Sequence, residues 1–163
     1  MIELIMVLVV LSIVIGLGML FFFKANIGSI QEKAEDVCDL SSSVLLSSAL
    51  AMPEMQCSFN THTKDCVDTI KLLEFKDFSS SRDYSYHFSS NCRQRVSFQV
   101  IYPEPSASGE CTDTTYPDNC NTWTIYTPSD FSSDFALYST PASLYYPLED
   151  EYRVGRLIVE VEM

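Results

Sequence analysis

The side chains that could do chemistry in this chain are six cysteines, two histidines and a surplus of carboxylates. Cys38, Cys57, Cys66, Cys92, Cys111 and Cys120 all follow the apolar N-terminal run, and no two are spaced Cys-x-x-Cys. The spacings of zinc ribbons, thioredoxin-like redox sites and c-type haem attachment are therefore missing. An even set on one side of an apolar segment reads as disulfides formed in an oxidising compartment. Many connectivities are open to such a set. The favoured pairs are Cys57–Cys66 and Cys111–Cys120, because each brackets a polar, turn-rich segment. That leaves Cys38–Cys92 to tie a helix to the sheet, with free buried thiols as the alternative.

His62 lies in a polar stretch and His87 lies among Tyr84, Tyr86 and Phe88, so both read as surface or packed side chains rather than ligands. Glu149, Asp150 and Glu151, with Asp113 and Asp118, carry oxygens that suit calcium, but not in EF-hand order. A solvated acidic turn is the expectation. No Gly-x-Ser-x-Gly, His-Glu-x-x-His or phosphate-loop pattern occurs. Five glycines, two of them in the apolar run, leave little from which to build a phosphate cradle. No catalytic residue, metal or cofactor is expected, and the chain does not read as an enzyme. The nine tyrosines, Tyr145 and Tyr146 among them, read as sheet packing and subunit contacts. No Asn-x-Ser/Thr acceptor is present, and the Ser/Thr-rich segments leave O-linked sugars open.

Any such groups must be positioned by what surrounds them, and the dominant element is the first. From Leu4 to Phe23 no residue carries a charge. At about 1.5 Å per residue that run spans about 30 Å, the thickness of a bilayer core. It has no polar stripe, so it expects an apolar medium on every side: lipid, or a bundle of its own copies. A signal peptide would have a basic n-region, a shorter core and a small-residue cleavage site. Here the start holds Glu3, no Lys or Arg, and no Ala-x-Ala follows Phe23. A plain membrane anchor explains the run but not Glu3, whose carboxylate needs a partner at the edge of lipid. The positive end of the helix and the α-amine of Met1 or of a neighbouring copy are available.

Ile27, Ile30, Ala34, Val37, Ser41, Val44, Ser48 and Met52 continue at steps of three and four, predicting an amphipathic helix that stops before Pro53. Residues 1–52 then form one long helix, apolar over 1–23 and amphipathic over 24–52, with a bend expected at Gly28. Gly16 and Gly18 suit close helix–helix approach, or are the ordinary glycines of a membrane helix. Residues 53–163 form a β-rich globular domain. Residues 67–78 are helix or strand. Residues 84–88, 96–102, 122–127 and 156–162 alternate as strands, while 131–147 holds at most one short strand. The fold class is α+β, a long helix packed through its amphipathic half on an antiparallel sheet.

The formal net charge is −12 and the pI about 4.3, which argues against nucleic acid and against anionic membrane surfaces as partners. An acidic exterior suits a solvated extracellular surface.

The N-terminal pattern (Ile2-Glu3-Leu4, then apolar residues to Phe23, then an amphipathic continuation) resembles a mature type IV pilin, and the β-rich remainder is more like the small pilin-like proteins of archaea. Glu3 stands third, whereas bacterial pilins usually have it fifth. No basic leader precedes it, so the chain reads either as already processed or as outside that family. The resemblance implies a lollipop-like architecture and a helical homopolymer of identical subunits, displayed as an extracellular filament for adhesion or surface attachment. It also implies a membrane-inserted precursor, a leader peptidase and a pilus assembly machinery. The helix residues that would carry assembly are Met1, Glu3, Leu4, Leu8, Leu11, Ile15, Gly16, Gly18 and Phe22. The other expectation is a single-pass membrane protein with a disulfide-stapled ectodomain, or a minor pseudopilin.

Overall fold

A computed structural model describes residues 2–59, 62–79, 88, 92–105 and 107–162, and the backbone alone at 2, 4, 26–36, 59, 62–64 and 77–79. Helix α1 runs Ile2–Leu50 without a break at Gly28. It closes with Ala51 N–H on Ser48 O and Met52 N–H on Ala49 O, just ahead of Pro53. By contacts the chain divides into two compact units, Met1–Val37 and Cys38–Met163. The first is the N-terminal stretch of α1. The second holds the last turns of α1, then β1 (Gln56–Phe59), β2 (His62–Asp68), α2 (Thr69–Ser79), β3 (Gln94–Tyr102), β4 (Thr122–Tyr126), β5 (Phe135–Tyr146) and β6 (Glu151–Glu162).

The six strands form one sheet in the order β1-β2-β5-β6-β3-β4. It is antiparallel-rich but mixed, because β2 joins β5 in parallel through Val67↔Leu144 and Asp68↔Tyr145. That corrects the expectation of a wholly antiparallel sheet. The physical reason is connectivity: α2 and two further strands intervene between β2 and β5, long enough to bring the chain back in the same direction. The ambiguous 67–78 stretch contains a junction. Asp68 ends β2, and its Oδ1 accepts the N–H groups of Ile70 at 3.0 Å and Lys71 at 3.3 Å, capping α2.

Strand β5 is the largest departure. The region expected to hold at most one short strand is a 12-residue strand paired along its length with β6, Phe135↔Glu162 to Tyr146↔Glu151. Pro141 made it look like loop. Among the described residues, β2 pairs with β5 only at Leu144 and Tyr145, so Pro141 withholds no ladder hydrogen bond from that side. Of the stretch expected as a strand at 84–88, only Phe88 lies among the described residues, and it is helical.

Alternation sorts the sheet's two faces. Gly155, Leu157, Val159 and Val161 of β6, Val96, Phe98 and Val100 of β3, Trp123 and Ile125 of β4, and Leu144 and Tyr146 of β5 are buried. They share one core with Leu45 and Ala49 of α1 and Leu72 and Phe75 of α2. The α1 ridge in that core is not the expected one. Val44 is 59% exposed while Leu45 is 5% exposed, and Ser42 and Ala49 are fully buried. The buried ridge is Ser42, Leu45 and Ala49, with the half-buried Cys38 ahead of it, one position on from Val37, Ser41, Val44 and Ser48. Small residues and a disulfide let this ridge approach the sheet, and Ser42 Oγ satisfies itself on Cys38 O at 2.7 Å.

Gly155 sits where only glycine fits. A Cβ there would lie 2.5 Å from Leu144 Cδ1 and 2.7 Å from Gln99 O. At the sheet's edge, Glu110 accepts the Thr124 N–H at 2.9 Å and its hydroxyl at 2.8 Å, blunting β4 against further pairing.

Candidate functional site

Ile5–Ala25 is a 21-residue helical span of mean hydropathy 3.0, none of it buried. Its polar side chains are Ser12 and, one residue from its end, Lys24; Ser12 donates to Val9 O at 2.8 Å, so that hydroxyl asks nothing of its surroundings. Leu8, Leu11, Ile15, Gly18 and Phe22 follow at steps of three and four and are all exposed, so they line one ridge. A Cβ on Gly16 or Gly18 would meet nothing within 4 Å. Gly18 therefore notches a ridge of large apolar groups, while Gly16 lies off it. Glu3 is exposed in the first helical turn. Leu4 is helical in backbone, and Met1 lies outside the described residues. What this arrangement can do is physical rather than catalytic: it lowers its free energy by entering lipid or packing on other helices, at about 25 cal/mol per Å² removed from water.

The folded unit carries three disulfides, Cys38–Cys92, Cys57–Cys66 and Cys111–Cys120, with Cα–Cα distances of 5.7, 5.4 and 5.0 Å. Cys57–Cys66 and Cys111–Cys120 are the pairs the polar segments favoured, and Cys38–Cys92 is the pair that remained. Cys38–Cys92 stands at the first residue of the folded unit, and beside it the Tyr138 hydroxyl donates to the Asp39 carboxylate. Cys57–Cys66 ties the β1–β2 hairpin and packs with Tyr145. Cys111–Cys120 closes the loop between β3 and β4.

No group of three or more His, Cys, Asp or Glu that could hold a metal occurs among the described residues. His62 begins β2, described in backbone only, and His87 lies outside the described residues. The acidic turn at 149–151 is engaged: Glu149 ion-pairs with Arg153, and Asp150 accepts the Tyr145 hydroxyl at 2.8 Å. Asp113 and Asp118 are exposed in the loop.

The tyrosines divide. Tyr116 stacks on Tyr146 at 5.8 Å, Trp123 meets both edge-on, and the Arg153 guanidinium lies 4.0 Å from the centre of the Tyr146 ring. Thr69 donates to Tyr145 O at 2.9 Å, so the Tyr116 hydroxyl donates to Thr69 at 2.8 Å. Burial pushes Tyr146 up to about 12, and the hydrogen bond to Asp150 pushes Tyr145 up to about 12. The bond to Asp39 likewise raises Tyr138. Tyr102 and Tyr152, by contrast, are exposed.

Sequence reasoning passed over Arg153, Gly155 and Arg156. The alternation of β6 carried the signal, since Tyr152, Val154 and Arg156 fall on the face opposite Gly155 and Leu157. No protein-family model, no curated protein and no solved structure matches this chain.

Proposed function

We propose that this chain is a structural subunit of an extracellular pilus-like filament, assembled through its N-terminal helices and serving attachment. The observation that carries the reading is the helix itself: an exposed span of 21 residues, uncharged as far as Lys24, continues without a break into the turns that build the folded unit's core. An anchor alone does not require that continuity. A subunit whose helix transmits load from a filament core to a displayed domain does, and a lollipop-like architecture belongs to the same proposal. Three disulfides suit an oxidising exterior, and no catalytic constellation competes with a structural role among the described residues. Before assembly the same span holds the subunit in the membrane. In the filament it packs on identical helices, with Glu3 paired to a neighbouring subunit.

The test is negative-stain microscopy of material sheared from cells, with sequencing of the protein recovered. Thin fibres containing this chain support the filament. Protein confined to the membrane fraction, without fibres, replaces it with a single-pass anchored ectodomain.

A further inference from the structure

The sheet face turned away from the core carries a patch that the filament reading does not use. Tyr102 is 70% exposed, and Tyr152 and Val154 are each 52% exposed. Register brings them together. Val154 pairs across to Tyr102 on one side and to Ser143 on the other, and Tyr152 precedes it on the same face. Pro141, Ala142, Ser143, Tyr152, Arg153 and Val154 line an open depression of about 300 Å³. The Tyr152 ring is braced by Tyr145, 4.9 Å away.

The next residue along this face is Arg156, paired to Gln99 and to Pro141. Its Nε and Nη2 both donate to Gln99 Oε1, at 3.1 and 2.7 Å. Among the described residues no carboxylate lies within ion-pair distance of it. That is unusual in a chain of net charge −12. The neighbouring carboxylates along β6 are engaged elsewhere, Glu160 by Arg95 and Glu151 by Arg153. Because Gln99 spends its acceptor on Arg156, its amide N–H groups join the Arg156 Nη1 hydrogens as donors. The result is a donor-rich, cationic corner on the same sheet face as two open tyrosine rings.

Those features together name a ligand class. A guanidinium with free N–H groups recognises a carboxylate in its own plane. The negative face of a tyrosine ring attracts the polarised C–H groups of a sugar ring. The depression is the size of a small-ligand site. We propose that this face binds an acidic oligosaccharide of the uronic-acid type, one carboxylate on Arg156 and Gln99 and successive pyranose rings against Tyr102 and Tyr152, the span from Arg156 to Tyr152 being about 13 Å at the rise of a strand. The proposal holds whether or not the chain assembles into filaments.

The experiment uses the full chain in detergent, titrated calorimetrically with a short oligogalacturonate and with the same oligosaccharide after its carboxyls are reduced to alcohols. Binding of the acidic form, weakened by added salt and at least about tenfold by Arg156→Gln, is the expected result. Tyr152→Ala should weaken it by a similar factor, Lys76→Gln should leave it unchanged, and the reduced sugar should not bind. Equal binding of the reduced sugar, binding indifferent to both Arg156→Gln and Tyr152→Ala, or no binding at all would overturn the assignment. Tyr152 is exposed and Arg156 half-buried, and circular dichroism establishes that each variant is folded.

Discussion

Tyr138 of β5 donates a hydrogen bond to Asp39 of α1, one residue beyond the cysteine that bonds Cys92. Two independent ties, one covalent and one polar, thus hold the helix where the folded unit begins. Beyond them, the ridge Ser42, Leu45 and Ala49 runs into the core.

Removing the covalent tie should loosen those turns first. The Cys38–Cys92 pair closes a separation of 54 residues, for which loop-closure entropy gives about 4 kcal/mol. Cys38→Ser with Cys92→Ser should lower stability by about 2–4 kcal/mol in chemical denaturation. Amides of residues 38–50 should exchange faster than those of β6. Unchanged protection there would mean that packing alone docks the helix.

Alkaline pH should unfold the second unit within a defined window. Tyr138, Tyr145 and Tyr146 have folded pKa values raised above the ordinary 10, the latter two to about 12. A raised folded pKa means that the protonated hydroxyl is favoured in the native state. The stability this contributes is fully present below pH 10 and is lost as pH rises towards 12. Tyrosinate absorbance should therefore lag behind that of the unfolded chain, then rise together with loss of near-ultraviolet dichroism. Tyr145→Phe, which cannot ionise or donate to Asp150, should remove part of that pH dependence.

Gly155→Ala should destabilise the sheet by about 1–3 kcal/mol, as overpacking does. The added methyl meets Leu144 at 2.5 Å and, more seriously, the Gln99 backbone oxygen at 2.7 Å. Leu144→Ala in the same chain should not restore the loss, because the backbone contact remains and a cavity is added. Thermal unfolding of the single and double variants measures both.

In the proposed filament, Glu3→Ala and Gly18→Leu should reduce the yield of sheared fibres while leaving the thermal midpoint of the folded unit within about 1 °C. Glu3→Ala removes a carboxylate that has to be paired in an apolar medium. Gly18→Leu fills the notch between Ile15 and Phe22. Normal fibres from both variants would show that neither residue takes part in assembly.

Much of this architecture was legible without coordinates. Twenty uncharged residues from Leu4 to Phe23 leave a helix no solvent but lipid or its own kind. Pro53 ends α1 because a residue before proline is driven from helical geometry. The alternation in β3, β4 and the end of β6 declared strands, since side chains there point by turns to the core and to water. The polar segments between Cys57 and Cys66 and between Cys111 and Cys120 pointed to local disulfides, and elimination to the third.

What only the tertiary structure decided were choices between options of nearly equal local energy. Two adjacent ridges of α1 carry apolar residues, and the Cys38–Cys92 bond with the small Ser42 and Ala49 selects the one that faces the core. Pro141 argues against a strand locally, yet β5 forms because twelve cross-strand pairs to β6 outweigh it and, among the described residues, no ladder pair to β2 falls at the proline. The exposed face that joins Tyr102, Tyr152 and Arg156 exists only through register, since β3 and β6 are distant in the chain and nothing local aligns them. Residue type sets what a side chain can do; non-local pairing sets which side chains it does it with.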